Sequence, residues 1–210
     1  MSKIDEIAAA VGAGKAKIVG GLVEEAIAEG ANPSEILNKG MIDAMAVVGE
    51  KFKNNEIFVP EMLVAARAMK KGVEVLKPYL AGDTSNTVGK MVMGTVAGDL
   101  HDIGKNLVIM MIESAGFEVI DLGVDVPVEK FLEAAADPEV KIVGASALLT
   151  TTMPALRDTV AALNKADFRS RIKVMVGGAP VTQEFANEIG ADAYTGDAAS
   201  AAERAKSFVA

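Results

Sequence analysis

Gly98-Asp99-Leu100-His101-Asp102-Ile103-Gly104 stands between two different patterns. Ahead of it, Lys90-Met91-Val92-Met93-Gly94-Thr95-Val96 is a short apolar run with β-branched residues, which predicts a buried strand. Behind it, Asn106 to Ala115 is apolar at helical spacing and stops at Gly116. The stretch is therefore a strand-to-helix loop, and in a parallel α/β sheet such loops line the ligand crevice. It holds the only histidine in 210 residues, with a carboxylate two positions before it and a glycine three after. Imidazole is the commonest protein ligand for a transition metal. A ligating histidine usually donates its other N–H to a carboxylate, which fixes its tautomer and raises its basicity. An Asp-x-His-x-x-Gly loop supplies both groups from one turn, and the glycine lets something large approach the backbone. The same residues also suit a solvated histidine in a polar loop, because short motifs recur without function.

Downstream the pattern repeats. Strands are predicted at 90–97, 117–122, 141–147, 172–177 and 192–195, with helices near 103–115, 128–136, 153–166, 182–189 and 198–209. Strict alternation argues for a doubly wound parallel sheet, flavodoxin- or Rossmann-like. The commonest five-strand order is 2-1-3-4-5, with its switch point between strands one and three. In that order three loops meet on one rim: Asp99–His101, then Ser146-Ala147-Leu148-Leu149-Thr150-Thr151-Thr152, then Gly177-Gly178-Ala179-Pro180. Taken singly, the threonines suit helix capping and the glycines a tight turn. Their convergence points to a binding site.

Upstream, no strand pattern is present. Ile4, Ile7, Ala8 and Val11 give a short amphipathic helix, and Ile18, Leu22, Val23, Ala26 and Ile27 a second that stops at Gly30. Asn32 is placed to cap a third helix with Pro33 in its first position. That helix carries Ile36, Leu37, Met41, Met45, Val48 and Phe52. Phe58-Val59-Pro60-Glu61 opens a fourth, with Met62, Leu63, Ala66, Met69 and Val73 inward and Pro78 at its end. Four helices on short turns predict an up-and-down bundle. Ala81-Gly82-Asp83-Thr84-Ser85-Asn86-Thr87 is turn-forming throughout and reads as a linker. The expected division is a helical domain over 1–83 and an α/β domain over 88–210.

Composition narrows the function. A formal charge of −8 argues against a nucleic-acid backbone as partner. With no cysteine there is no disulfide, iron–sulfur cluster or thiolate zinc site, which suits a cytoplasmic protein. No apolar run approaches bilayer-spanning length, and Met1-Ser2-Lys3-Ile4-Asp5-Glu6 is acidic and helical rather than a signal peptide. Eleven methionines are many for this length; thioethers suit adaptable apolar contacts as well as ordinary core.

The chain resembles the cobalamin-binding (corrinoid) proteins of methyl-transfer systems. The resemblance rests on Asp99-x-His101-x-x-Gly104, then 41 residues, Ser146-x-Leu148, then 28 residues, and Gly177-Gly178. It extends to Val47-Val48-Gly49-Glu50-Lys51-Phe52 and Phe58-Val59-Pro60-Glu61-Met62-Leu63, which are similar to the family's helical cap. It implies a bound cobalamin or related cobamide whose lower base has left cobalt and been replaced by His101. Asp99 matches the carboxylate that holds this histidine. Thr152 stands where the family often places a serine hydroxyl that completes the relay. Leu100 and Asp102 lie inside the motif, and Gly104, Gly177 and Gly178 supply bare backbone along a slot for the nucleotide tail. Ser146 and Thr150 are expected to hydrogen-bond the tail or corrin rim. Phe52 and Val59, with Met62 one turn onward, match apolar cap contacts over the cobalt-bound methyl group, though a bundle core uses such residues too.

The activity implied is that of a methyl carrier, not an enzyme on its own, cycling between cob(I) and methyl-cob(III). Its partners would be a donor-specific methyltransferase, an acceptor methyltransferase using tetrahydrofolate or a thiol, and a reductive activator. Methanol, methylamines, betaines and methoxylated aromatics all serve such carriers, and the chain by itself selects none of them. Two other classes share parts of the pattern. A cobalamin-dependent sensor would add a DNA-binding domain, and a metal-free flavodoxin-like signalling module would be colourless.

Overall fold

The computed structural model describes residues 2–80 and 87–210, so all but the last residue of the expected linker lies outside the described residues. Contacts divide the chain into two compact units, Met1–Thr87 with Ser114–Gly116, and Val88–Glu113 with Phe117–Ala210.

The first unit is helical. Helix α1 (Lys3–Gly12) starts at Ser2, whose hydroxyl accepts from the Asp5 amide while the Asp5 carboxylate accepts from the Ser2 amide. Helix α2 (Ala16–Ala28) follows. The Asn32 side chain accepts from the amides of Ser34 and Glu35 at 2.9 and 3.2 Å and opens α3 (Pro33–Glu35). The chain then continues through a π-helical stretch, Ile36–Ile42, into α4 (Asp43–Lys53). The third expected helix thus forms as one rod whose middle is wound more widely. Helix α5 (Val59–Leu80) runs through Pro78, where the sequence pattern places its end. Close packing holds these helices together. A Cβ on Gly72 of α5 would lie 2.6 Å from Met41 Cε and 2.8 Å from Val19 Cγ1. Among the described residues no helix is long and apolar enough to cross a membrane.

The second unit alternates β1 (Lys90–Thr95), α6 (Ile103–Ser114), β2 (Glu118–Asp121), α7 (Val128–Ala135), β3 (Val140–Ser146), α8 (Met153–Lys165), β4 (Lys173–Gly177), α9 (Gln183–Ile189), β5 (Ala193–Tyr194) and α10 (Ala198–Val209). The strands pair in parallel in the order β2-β1-β3-β4-β5, the doubly wound arrangement expected. Register decides which side chains meet. Val92, Val143 and Val174 form one row and join Phe131, Leu156 and Val160 in a hydrophobic core. The next row, Met93, Gly144 and Met175, points to the opposite face because side chains alternate along a strand. At the carboxyl ends the row is Thr95, Ser146 and Gly177. That rim carries the site.

Candidate functional site

Asp99 is the centre of the rim. Its side chain is 0% exposed and accepts four hydrogen bonds. Oδ1 accepts from His101 Nδ1 at 2.7 Å and from the His101 amide at 3.1 Å. Oδ2 accepts from the Leu148 amide at 2.7 Å and the Thr152 hydroxyl at 2.8 Å. Thr152 Oγ1 also lies 2.9 Å from the Leu149 carbonyl, but one proton serves one acceptor and the charged carboxylate is the stronger. Burial is the largest single influence on the Asp99 carboxyl and pushes its pKa up. The Leu148 amide, His101 ring, Thr152 hydroxyl and His101 amide together outweigh it, holding the carboxyl well below the usual carboxylate range. Asp99 is therefore an anion, able only to accept.

That fixes the histidine. With an acceptor against Nδ1, the neutral ring carries its proton there and keeps the lone pair on Nε2. The His101 side chain is 50% exposed, so Nε2 is available to a ligand from outside the chain. Thr95 holds the loop from below, its hydroxyl donating to the His101 carbonyl at 2.9 Å. The Thr95 proton being used, the 2.9 Å contact to Ser146 has Ser146 as donor. Asp125 sits in the left-handed region (φ 51°), and from there its carboxylate accepts from the Gly98 amide at 2.7 Å. Its own amide donates to the Asp99 carbonyl at 2.9 Å. Leu100, 71% exposed, and Ile103, 86% exposed, come from the same loop as His101 and line the same cavity, giving apolar surface near a polar ligand.

A cavity of about 700 Å³ opens beside His101 and runs along the methionine face of the sheet toward Met91, against residues of α6 and α10. Leu100, His101, Asp102, Gly104, Ser146 and Leu148 line its mouth, and Gly177 and Gly178 line it after β4. The glycines differ in what requires them. A Cβ on Gly104 would meet nothing within 4 Å, and one on Gly177 only the Thr195 carbonyl at 3.5 Å. The chain's own packing does not demand a bare backbone at either place; a guest in the cavity would. Gly178 has φ +125°, and a Cβ there would overlap the Ala147 carbonyl oxygen, so its reason is internal.

Most of the expected residues are brought together. Thr150 is not: it lies exposed in the 3-10 turn Thr150–Thr152 outside the cavity lining, while Thr152 of the same turn is buried against Asp99. In the helical unit Phe52 is half-buried, Val59 is exposed and Met62 is fully buried. Sequence reasoning missed Thr95, Asp125 and the backbone amide of Leu148 as supports of the loop. It also missed Lys105, whose buried ammonium donates to Asp121 and Asn106 at 2.7 and 2.8 Å. A lone lysine in the first turn of α6, just ahead of its apolar run, was the available signal.

The donor set suits a metal that brings its other ligands. Among the described residues no group of three or more His, Cys, Asp or Glu side chains is placed to hold a bare ion. One imidazole, an apolar shelf and a deep slot fit a corrinoid, whose macrocycle surrounds cobalt and whose tail needs housing.

Comparison with known proteins agrees with this chemistry. Residues 89–206 match a family described as B12 binding domain, and residues 3–77 match a second family of the same description. Dimethylamine corrinoid protein 1 of Methanosarcina acetivorans is 45% identical over 208 residues, covering 99% of this chain and 97% of that protein. The crystal structure of a cobalamin-binding protein from Desulfitobacterium hafniense DCB-2 superposes with a TM-score of 0.81 at 33% identity, covering 99% and 98% of the two chains. The methanol:cobalamin methyltransferase complex MtaBC from Methanosarcina barkeri contains a chain matching with a TM-score of 0.87 at 32% identity, covering 99% of this chain and 79% of that one.

Proposed function

The chain belongs to the B12-binding corrinoid proteins, and from that premise we propose that it is the methyl carrier of a multicomponent methyltransferase. When bound, the corrinoid supplies a cobalt centre that takes a methyl group from one partner and passes it to another. The observation that carries the reading is His101, half exposed in the cavity lining and held through Nδ1 by a buried anionic Asp99. His101 would hold the cobalt through Nε2. Asp99 would fix its tautomer by accepting from Nδ1, leaving the Nε2 lone pair for the metal. Thr152 and the Leu148 amide keep Asp99 ionised. Leu100 and Ile103 seat the macrocycle and exclude water from the ligand. Gly104, Gly177 and Ser146 would line the passage for the tail.

The partners in this reading are a donor-specific methyltransferase, an acceptor methyltransferase acting on tetrahydrofolate or a thiol, and a reductive activator. The likeness to a dimethylamine corrinoid protein supports a methylated amine as the donor. His101→Ala tests the assignment. The variant is expected to fold and bind cobamide, but electron paramagnetic resonance of its cobalt(II) form will lack the nitrogen superhyperfine splitting of the parent. Splitting that survives the substitution would remove His101 from the metal.

A further inference from the structure

A cobamide whose base is replaced by His101 has to put that base somewhere, and the far end of the cavity has a distinct chemistry. From Thr95 at the rim to Met91 is four residues, about 13 Å along the strand at ~3.3 Å per residue. Met93, Gly144 and Met175 lie side by side in one row, with Met91 on the same face below them. Gly144 makes the arrangement possible: a Cβ there would overlap Met93 Sδ and sit 2.6 Å from Met91 Cε, so the thioethers fold across bare backbone. Polar side chains in the lining occur nearer the mouth. Tyr194 is level with Val176, above the methionine row, and its hydroxyl lies toward Gly196, 3.4 Å from where a Cβ there would be. The Lys105 ammonium is already engaged by Asp121 and Asn106. Strand amides and carbonyls at this level are used in the sheet.

Resting on the methyl-carrier reading, we propose that Met91, Met93 and Met175 select the lower base, admitting cobamides with an apolar aromatic base, a benzimidazole or phenol, over those with a purine. Thioethers adapt to a flat ring and make favourable contacts with it. Adenine brings an exocyclic amine and extra ring nitrogens that leave water for a floor without partners. Each such unmet group weakens binding on the order of 10-fold.

The test titrates the intact protein with dimethylbenzimidazolyl, adeninyl and phenolyl cobamides, reading bound cofactor by ultrafiltration and absorbance. Free cobamides differ in how readily their base leaves cobalt, so the informative quantity is the change in the adeninyl-to-benzimidazolyl Kd ratio between parent and variant, in which that difference cancels. Met93→Gln and Met175→Gln each offer an amide of similar length and should lower the ratio about 10-fold. Met175→Leu should leave it within about threefold, since only shape changes. Gly144→Ala should weaken the bicyclic base more than the smaller phenol. A ratio unmoved by both glutamines, with cofactor still bound, overturns the proposal. If the glutamine variants do not fold, an equal loss for all three bases in Gly144→Ala overturns it instead. Failure of the parent to bind any cobamide would defeat the carrier reading itself.

Discussion

Replacing Asp99 by asparagine removes one of the two oxygens on which four donors converge. With the amide oxygen toward His101, the new NH2 faces the Leu148 amide, and a buried donor loses its acceptor at a cost of about 1–3 kcal/mol. With the amide turned over, NH2 faces the His101 amide and Nδ1, which drives the ring proton to Nε2 and blocks the metal-binding lone pair. Either orientation costs something, in stability or in ligation. Asp99→Asn is therefore expected to lose about 10–100-fold in methyl turnover and to shift the cobalt(II)/(I) midpoint, measured by assay with partner enzymes and by spectroelectrochemistry. Parent-like values would reduce Asp99 to a loop support. Thr152→Val deletes a single donor and should lower stability by about 1 kcal/mol in chemical denaturation, with Thr152→Ser restoring most of it.

Two glycines at element ends separate what folding needs from what a ligand needs. Gly104 lies in the first turn of α6, where a Cβ meets nothing. Alanine is the better helix former by up to about 1 kcal/mol, so Gly104→Ala should melt at or above the parent temperature without cofactor. The same variant should bind cobamide more weakly, because the methyl group enters the cavity mouth. Gly178, after β4, is the opposite case. Its positive φ and the Ala147 carbonyl against it leave no room for a side chain, so Gly178→Ala should destabilise the apo protein by about 2–3 kcal/mol. Calorimetry on both apo variants reads the contrast, and equal stabilities would refute it.

Every residue lining the cavity falls between Met91 and Ala201, inside the α/β unit. We therefore expect a piece spanning 88–210 to fold and bind cobamide with the spectrum of the histidine-ligated form, at an affinity within about 10-fold of the whole chain. Bound ligand stabilises only the state that binds it. At 100 times Kd the gain is about 2.7 kcal/mol, so in the whole chain cobamide should raise the melting of the α/β unit. A piece that folds yet takes up no cobamide would show that the α/β unit by itself is not sufficient for binding.

The elements, the sheet order and the Asp–His pair were all legible in the sequence, because each is written in near neighbours. Helical and strand periodicity depend on residues two to four apart, short parallel connections leave few topologies, and Asp99 reaches His101 within one turn. The π-helical stretch at Ile36–Ile42 was not legible, since its apolar spacing is close to that of the α-helix around it. Nor were the contacts made across long separations. The Leu148 amide meets Asp99 from 49 residues away, and only the packing of β1 against β3 brings it there. Met93, Gly144 and Met175 share a row because of strand register, and a slip of one residue would have turned the methionines to the other face. Local sequence therefore determined the elements and the ligand loop. Tertiary structure decided what keeps Asp99 charged and what lines the far end of the cavity, because pairing between distant strands sets which side chains share a level and a face.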